Sequence, residues 1–364
     1  MALLALLHRW IGGLAGALLA LLGLSGAVLV WRDALTLVPH ARDALRDDPG
    51  AAARVVERLA TTGPPIDRIT FASEDLGVHQ LGYADGGGAY VSQAGEIVAR
   101  WDGLWQRPEL WLFDLHHRLL LGDAGETVNG IAGLIGLFFV VSGVILWWRT
   151  RARFRPRLWP AKMTSGAIVH HHRDLGVLTA PLLTLSLLTG VMMVLPAVGQ
   201  WVLSPLGAAP AAKVPAASDA GPGARPRYAR LFAAAQTQFP GAALRRLQWP
   251  REAGKPLVLR LRQRFEWTPN GRTFLYVDPA TNAVLGILDP ASAGRHEYVR
   301  EKLYPLHAAK VGGLAWKLAI TASGLALAML GSLAVFGFWQ TRANIGRANR
   351  RKRTRAAAAS ARVT

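Results

Sequence analysis

The chain contains no cysteine. That excludes disulfides, thiolate zinc sites, iron–sulfur clusters and covalent c-type haem attachment. Any metal must then be held by histidine, carboxylate or methionine. Acid is missing too, but only locally: residues 1–32, 149–173 and 340–364 contain no Asp or Glu. There is no phosphate-binding glycine loop, no dinucleotide fingerprint and no Ser/His/Asp arrangement, and Gly86-Gly-Gly88 reads as a turn.

What is present is apolar and basic. In 364 residues, 51% are hydrophobic, and 42 Lys+Arg leave a net charge of +19. A mean hydropathy of +0.21 with so many cations means that the apolar residues are segregated from the charges. Four runs are long enough to cross a bilayer, which takes about 20 helical residues: Ile11–Trp31, Gly130–Trp148, Leu175–Val202 and Leu314–Trp339. The last contains Lys317, close enough to one end to snorkel. No small-x-small cleavage site follows the first, so it reads as an uncleaved anchor. Arg9, the group Arg149, Arg151, Arg153, Arg155, Arg157, Lys162 and Arg173, and the tail Arg342, Arg347, Arg350, Arg351, Lys352, Arg353, Arg355 and Arg362 fall in the three acid-free segments. Segment 33–128, by contrast, carries 8 basic and 15 acidic residues. The positive-inside rule then puts both termini and the short middle loop in the cytoplasm, with the two long loops outside. It accounts for all three basic clusters at once, so nucleic acid is not the expected partner; a lipid bilayer is.

The expected organisation is a first spanning helix in 1–32, an outer α+β module in 33–113, and a second spanning helix with an outer extension in 114–149. A basic loop follows in 150–170, a third spanning helix in 171–203, a second outer module in 204–303, a fourth spanning helix in 304–340 and a basic tail in 341–364. In the first module, Ala51–Leu59 reads as a short helix, and 89–92 with 96–100 as a hairpin around Gln93-Ala-Gly95. The second opens with a Pro/Ala/Gly linker, Ala208–Arg227, then a helix Tyr228–Phe239. Strands are expected at Ala243–Trp249, Pro256–Glu266, Arg272–Val277 and Ala283–Leu288, with a turn at Asp278–Asn282. The fold class is an all-α four-helix transmembrane bundle carrying two small extracytoplasmic α+β modules.

The chain repeats itself. His8-Arg9-x-x-Gly12…Ser25-Gly26 matches His172-Arg173-x-x-Gly176…Thr189-Gly190 at a constant offset of 164 residues, with Leu21/Leu185 and Leu24/Leu188 in register. His116 lies 32 residues before Trp148, and His307 lies 32 before Trp339. A helix–module–helix unit thus occurs twice in one orientation, which implies a pseudo-two-fold axis along the membrane normal.

Seven of the ten histidines stand just before an apolar run: His8, His116, His117, His170, His171, His172 and His307. Under the repeat His8 is equivalent to His172, at the cytoplasmic end, and His116 to His307, on the outer side. Each pair is placed to hold one planar ligand between two imidazoles, and bis-histidine ligation without cysteine means haem b. The expectation is two haem b, held by His8 with His172 and by His116 with His307. Adjacent histidines cannot all face one way, so His171 stands in reserve to His172, and His117 to His116. The glycines at Gly12, Gly176, Gly122 and Gly312-Gly313 would let a macrocycle approach closely. If the second helix were continuous, His116 would project about 20 Å beyond its apolar part. Interfacial histidine is also common as a headgroup contact. Zinc is the other rival, but no Asp or Glu stands at metal-site helical spacing beside the clusters.

Arg260, Arg262 and Arg264 alternate along one expected strand and so share a face, which would attract an anionic substrate or headgroups or simply be solvated. Tryptophans at helix ends, among them Trp10, Trp31, Trp148, Trp201 and Trp339, read as an aromatic belt.

These residues resemble a known family. Asp114-Leu-His-His-Arg-Leu-Leu-Leu-Gly122-Asp-Ala-Gly125 with Ser142-Gly143…Leu146-Trp-Trp-Arg149 resembles the second helix of the PepSY-associated transmembrane proteins. His172-Arg-Asp-Leu-Gly176…Leu188-Thr-Gly190 resembles the third, and Tyr304-Pro-Leu-His307…Gly312-Gly313 the start of the fourth. Tyr276-Val-Asp-Pro-Ala-Thr-Asn282-Ala-Val-Leu-Gly286 is similar to the outer-domain strand and turn, with Asn282 where the family has glycine. The resemblance covers nearly the whole chain and is weaker over 33–110, so the outer modules are expected to be PepSY-like, the first degenerate. It implies a bacterial inner-membrane ferric-siderophore reductase or related haem protein, with His8, His172, His116 and His307 as haem ligands. Electrons from quinol or a cytoplasmic reductase would reduce a periplasmic ferric siderophore or other ferric chelate. The alternative is a non-enzymatic membrane protein whose outer modules bind a peptide, protease or siderophore. Metal uptake through the bundle would need polar residues inside the spans, which, apart from Gln200 and Lys317 near their ends, offer only Ser and Thr.

Overall fold

The computed structural model describes residues 1–156, 158–208, 214–218 and 226–360, without the side chains of 352 and 355–360. Arg157, Arg362, the side chains of Lys352 and Arg355, and linker residues 209–213 and 219–225 lie outside the described residues. In chain order the elements are α1 (Ala2–Leu29), α2 (Arg32–Leu35), α3 (Pro49–Thr62), β1 (Ile66–Thr70), β2 (His79–Tyr83), β3 (Gly88–Val91) and β4 (Ile97–Trp101). Then come α4 (Pro108–Arg118), α5 (Gly122–Trp148), α6 (Ser165–Val194), α7 (Pro196–Leu203) and α8 (Tyr228–Gln238). The chain ends with β5 (Ala243–Gln248), β6 (Leu257–Arg262), β7 (Thr273–Val277), β8 (Val284–Leu288), α9 (Arg295–His307) and α10 (Gly313–Ser360). They form a helical unit, 1–30, 115–195 and 314–364, and a sheet unit, 31–114 and 196–313.

In the helical unit, α1, α5, α6 and α10 are each long and apolar enough to cross a membrane. Small residues set how closely they pack. A Cβ on Gly23 would fall 2.6 Å from Gly324 O, and one on Gly16 2.8 Å from Gly331 O, so α1 and α10 touch backbone to backbone. Across α5 and α6, Leu187 and Val191 fill the spaces over Gly136 and Gly133. These contacts obey the repeat. Moving α1 by 164 residues and α5 by 191, the offset of His116 to His307, turns the Gly324–Ala27 contact into Gly133–Val191. The same shift turns Gly23–Leu327 into Gly136–Leu187.

Three boundaries differ from the sequence reading. First, α4 and α5 are not one continuous helix: Leu119, Leu120 and Gly122 all adopt positive φ, and the chain turns there. Asn129 Nδ2 reaches back from α5 to donate to the carbonyls of His116 (2.7 Å) and His117 (3.1 Å), satisfying the end of α4. His116 therefore does not stand 20 Å above its span. Second, α6 starts at Ser165 and stops at Val194, because Leu195 turns extended before Pro196. Third, α10 continues well past Trp339, to Ser360.

The sheet unit holds one antiparallel sheet of eight strands, ordered β4-β3-β2-β1-β5-β6-β7-β8. The two long segments between the spanning helices are thus halves of one sheet, joined where β1 pairs with β5 (Arg68↔Gln248, Ile69↔Leu247, Thr70↔Arg246). Each half is a helix followed by a four-stranded meander. The strands alternate strictly at the centre: Leu257, Leu259 and Leu261 of β6 are wholly buried, and Val258, Arg260 and Arg262 face the other way. A single apolar core explains the joining. Val56 and Leu59 of α3 and Leu231 and Phe232 of α8 pack over Ile69, Leu81, Leu247, Leu259 and Leu275. Burying each such side chain is worth about 1.5–3 kcal/mol, and both halves contribute to the one cluster. The expected helices and the hairpin are present, as are β5 to β8. β1 and β2 were not expected.

Candidate functional site

Histidine pairs are the feature the sequence singles out, and the helical unit places several of them at its two ends. At the first end His8 of α1 and His172 of α6 are neighbours. Their ring centres are 6.2 Å apart and the planes are at 87°. Phe139 lies 5.1 Å from His8, edge-on, and Leu330, its counterpart at the 191-residue offset, lies beside His172. His8 Nδ1 is 2.7 Å from Ser142 Oγ. Because that hydroxyl already donates to Phe138 O at 2.6 Å, the imidazole must donate Nδ1–H to the serine oxygen. Its Nε2 lone pair is left available. His172 Nδ1 is buried with no hydrogen-bond partner. In the triplet, His170 is exposed, His171 turns to α10, where its Nε2 meets Met329 Sδ at 3.2 Å, and only His172 joins His8.

Ser25 and Gly26, near the other end of α1, receive His116. His116 Nδ1 is 3.0 Å from Ser25 Oγ, whose hydroxyl donates to Leu21 O at 2.8 Å. Once more the ring must be the donor, through Nδ1–H. A Cβ at Gly26 would fall 2.9 Å from His116 Cε1, so the glycine makes room for the ring. Thr189, the repeat partner of Ser25, makes the same back-bond, to Leu185 O at 2.7 Å. His117 points elsewhere: it and Arg118 face Glu126, at 3.7 and 3.3 Å. Seventeen residues separate His8 from Ser25 along α1, about 25 Å at helical rise. His307 is the last residue of α9 and belongs to the sheet unit.

The sequence matches the PepSY-associated TM region over residues 5–342, which takes in α5, α6, most of α1, the first 30 residues of α10 and both halves of the sheet. The chain belongs to that family. No curated protein matches it.

In this PepSY-associated protein, the spacing of the His8 and His172 ring centres is comparable with that of two imidazoles on one metal. Two imidazoles sharing one metal at bonds of about 2.0–2.1 Å place their ring centres roughly 6.3 Å apart. Among the described residues no group of three or more His, Cys, Asp or Glu is placed to hold a metal ion. An ion between these rings would have to bring its remaining ligands with it, as a porphyrin-bound iron does. Ser142 and Ser25 each fix one nitrogen of an imidazole, His8 and His116 respectively. Gly12 and Gly176 leave ordinary van der Waals space toward Phe139 and Leu330.

Two features differ from what the residue pattern led one to expect. The first is the set of supports: Asn129 and Phe139 carry no motif in the sequence, Ser142 was legible only as part of the family pattern, and the Ser25-Gly26 pair only as part of a repeat. The second is Arg264. β6 ends at Arg262, and the chain turns through Gln263–Glu266, closed by Glu266 N donating to Gln263 O. Glu266 Oε1 accepts from Gln263 N at 3.0 Å and fixes the turn. Arg260 and Arg262 share a face; Arg264 lies in the exposed turn beyond it.

Proposed function

We propose that this protein is a di-haem b-type electron-transfer protein of the bacterial inner membrane, reducing a periplasmic ferric siderophore or similar chelate to release its iron. The observation that supports it most is the His8/His172 pair: two rings at axial-ligand separation, one with Nδ1 locked by Ser142. His8 and His172 would hold one haem, His116 and His307 the other. Bound there, haem supplies a one-electron couple. The protein's part would be to present the imidazoles and to hold His8 and His116 through Ser142 and Ser25. Reduction of Fe(III) weakens the hold of a hard-oxygen chelator on the metal. In this reading the termini and the 149–173 loop are cytoplasmic, the sheet unit is periplasmic, and a quinol or cytoplasmic reductase is the donor.

The test is the pyridine haemochrome spectrum of the purified full-length protein. H172A and H307A should each lose about half of the b-type absorbance, and H171A should keep it. Equal haem in all three overturns the assignment. A non-enzymatic reading draws on the open sheet edges β4 and β8, where Ile97, Val284 and Ile287 are exposed: the sheet would bind a peptide, protease or siderophore. A colourless purified protein would favour it.

A further inference from the structure

The face of the sheet opposite α3 and α8, toward which α9 brings Tyr304, carries a row of arginines that the redox reading does not use. Arg246 of β5 and Arg260 of β6 are directly opposite each other in register. Arg68 of β1 lies one diagonal step away, paired to Gln248. Arg272 enters β7 on the same side, two residues before Phe274. Like charges directly opposite on one face destabilise a sheet, and a partly buried cation without a counter-ion is costly. Among the described residues none of the four forms an ion pair. The acids nearby are engaged elsewhere: Glu74 with Arg245, Asp67 with Arg251, Glu297 with Arg300, Glu301 with Lys302.

Glu266 acts on both Arg260 and Arg272, and Glu297 and Glu301 act on Arg272 as well; the oxygens of Glu266 are taken by Gln263 N, Arg272 N and the Thr273 hydroxyl. Nε of Arg246, Arg260 and Arg272 is buried with no hydrogen-bond partner. Burial and mutual repulsion push Arg246 down to about 10 and Arg260 down to about 9. The row is walled by aromatic rings. Phe274 lies under the Arg260 guanidinium at 4.8 Å and stacks on Tyr276, and the Tyr304 hydroxyl acts on Arg246.

We propose that Arg68, Arg246, Arg260 and Arg272 form a docking site for a small polyanion bearing several carboxylates, so that the substrate class of this protein is the negatively charged ferric polycarboxylate chelate. The anion site stands on the arginines alone; the ferric identity rests on the redox reading above. Guanidinium forks match carboxylate geometry. Four adjacent strands spread the row over about 15 Å, which fits several carboxylates better than one lipid phosphate.

Isothermal calorimetry on the full-length protein in detergent tests this, with ferric citrate, citrate, inorganic phosphate and short-chain phosphatidylglycerol as probes. Ferric citrate and citrate should bind the wild type, at least tenfold more weakly R246Q and R260Q, and with unchanged affinity R230Q, whose arginine is on the exposed side of α8. If either variant fails to fold, R68Q should show the loss. Equal affinity in all overturns the site. Phosphatidylglycerol binding more tightly than citrate, and lost in the same variants, overturns the chelate assignment in favour of a headgroup. Arginine-dependent binding by a protein that carries no haem keeps the site and refutes only the redox reading.

Discussion

A serine hydroxyl that donates to its own helix can only accept from an imidazole, and Ser142 and Ser25 use this to orient His8 and His116. Removing the partner that orients a metal-binding histidine typically costs 10–100-fold in affinity. S142A should therefore lower haem occupancy on purification while leaving the helices intact by circular dichroism; full occupancy would show that Ser142 has no part in it. His79 offers a second test at this scale. It is 5% exposed, and its Nδ1 accepts from Ala72 N at 2.9 Å, so the folded state keeps it neutral. Burial pushes it down to about 4. Since the unfolded value is about 6.5, its contribution is complete above pH ~6.5 and lost as pH falls through about 4, some 3 kcal/mol at most. H79N keeps an acceptor and cannot titrate, so its melting temperature should fall less than the wild type's between pH 6.5 and 4. Parallel profiles would contradict this.

The four long helices were legible as elements because an apolar run of that length has few other uses. The strands β5 to β8 were legible because Leu257, Leu259 and Leu261 alternate with polar residues. β1 and β2 were hidden by Asp67, Arg68, His79 and Gln80, polar residues that break the pattern. They are tolerated because Asp67 pairs with Arg251 at 2.6 Å and β1 lies at the sheet's centre, beside β5. The break after α4 was equally hidden, since two consecutive leucines at positive φ follow from tertiary contacts and not from propensity. Among the helices, the α1–α10 contact is the most exacting. G324A would drive a Cβ to 2.6 Å from Gly23 O. It should cost about 1–3 kcal/mol and lower the melting temperature in detergent, whereas G346A, with open space around it, should not. An unchanged G324A would mean that α1 and α10 pack less tightly than described.

The whole chain is built twice. Residues 164 apart in α1 and α6, and 191 apart in α5 and α10, make equivalent contacts, and the sheet is two meanders joined at β1 and β5. The repeat in the sequence foretold the first fact but not the second, because pairing between halves leaves no periodicity in either. Its departures mark the site: Ser142 corresponds to Leu333, so only the His8 side has a serine. The absence of cysteine gives a clean background for testing orientation. A94C, in an exposed turn of the sheet unit, should react with a membrane-impermeant maleimide in intact spheroplasts, and A348C only after permeabilisation. The reverse pattern would invert the topology drawn from the basic clusters. The central claim is haem held between repeat-related histidines. Its most direct test is the pyridine haemochrome spectrum of full-length protein purified from haem-replete cells. The account predicts a b-type spectrum that is halved in H8A and in H172A, and a protein with no b-type absorbance would contradict it.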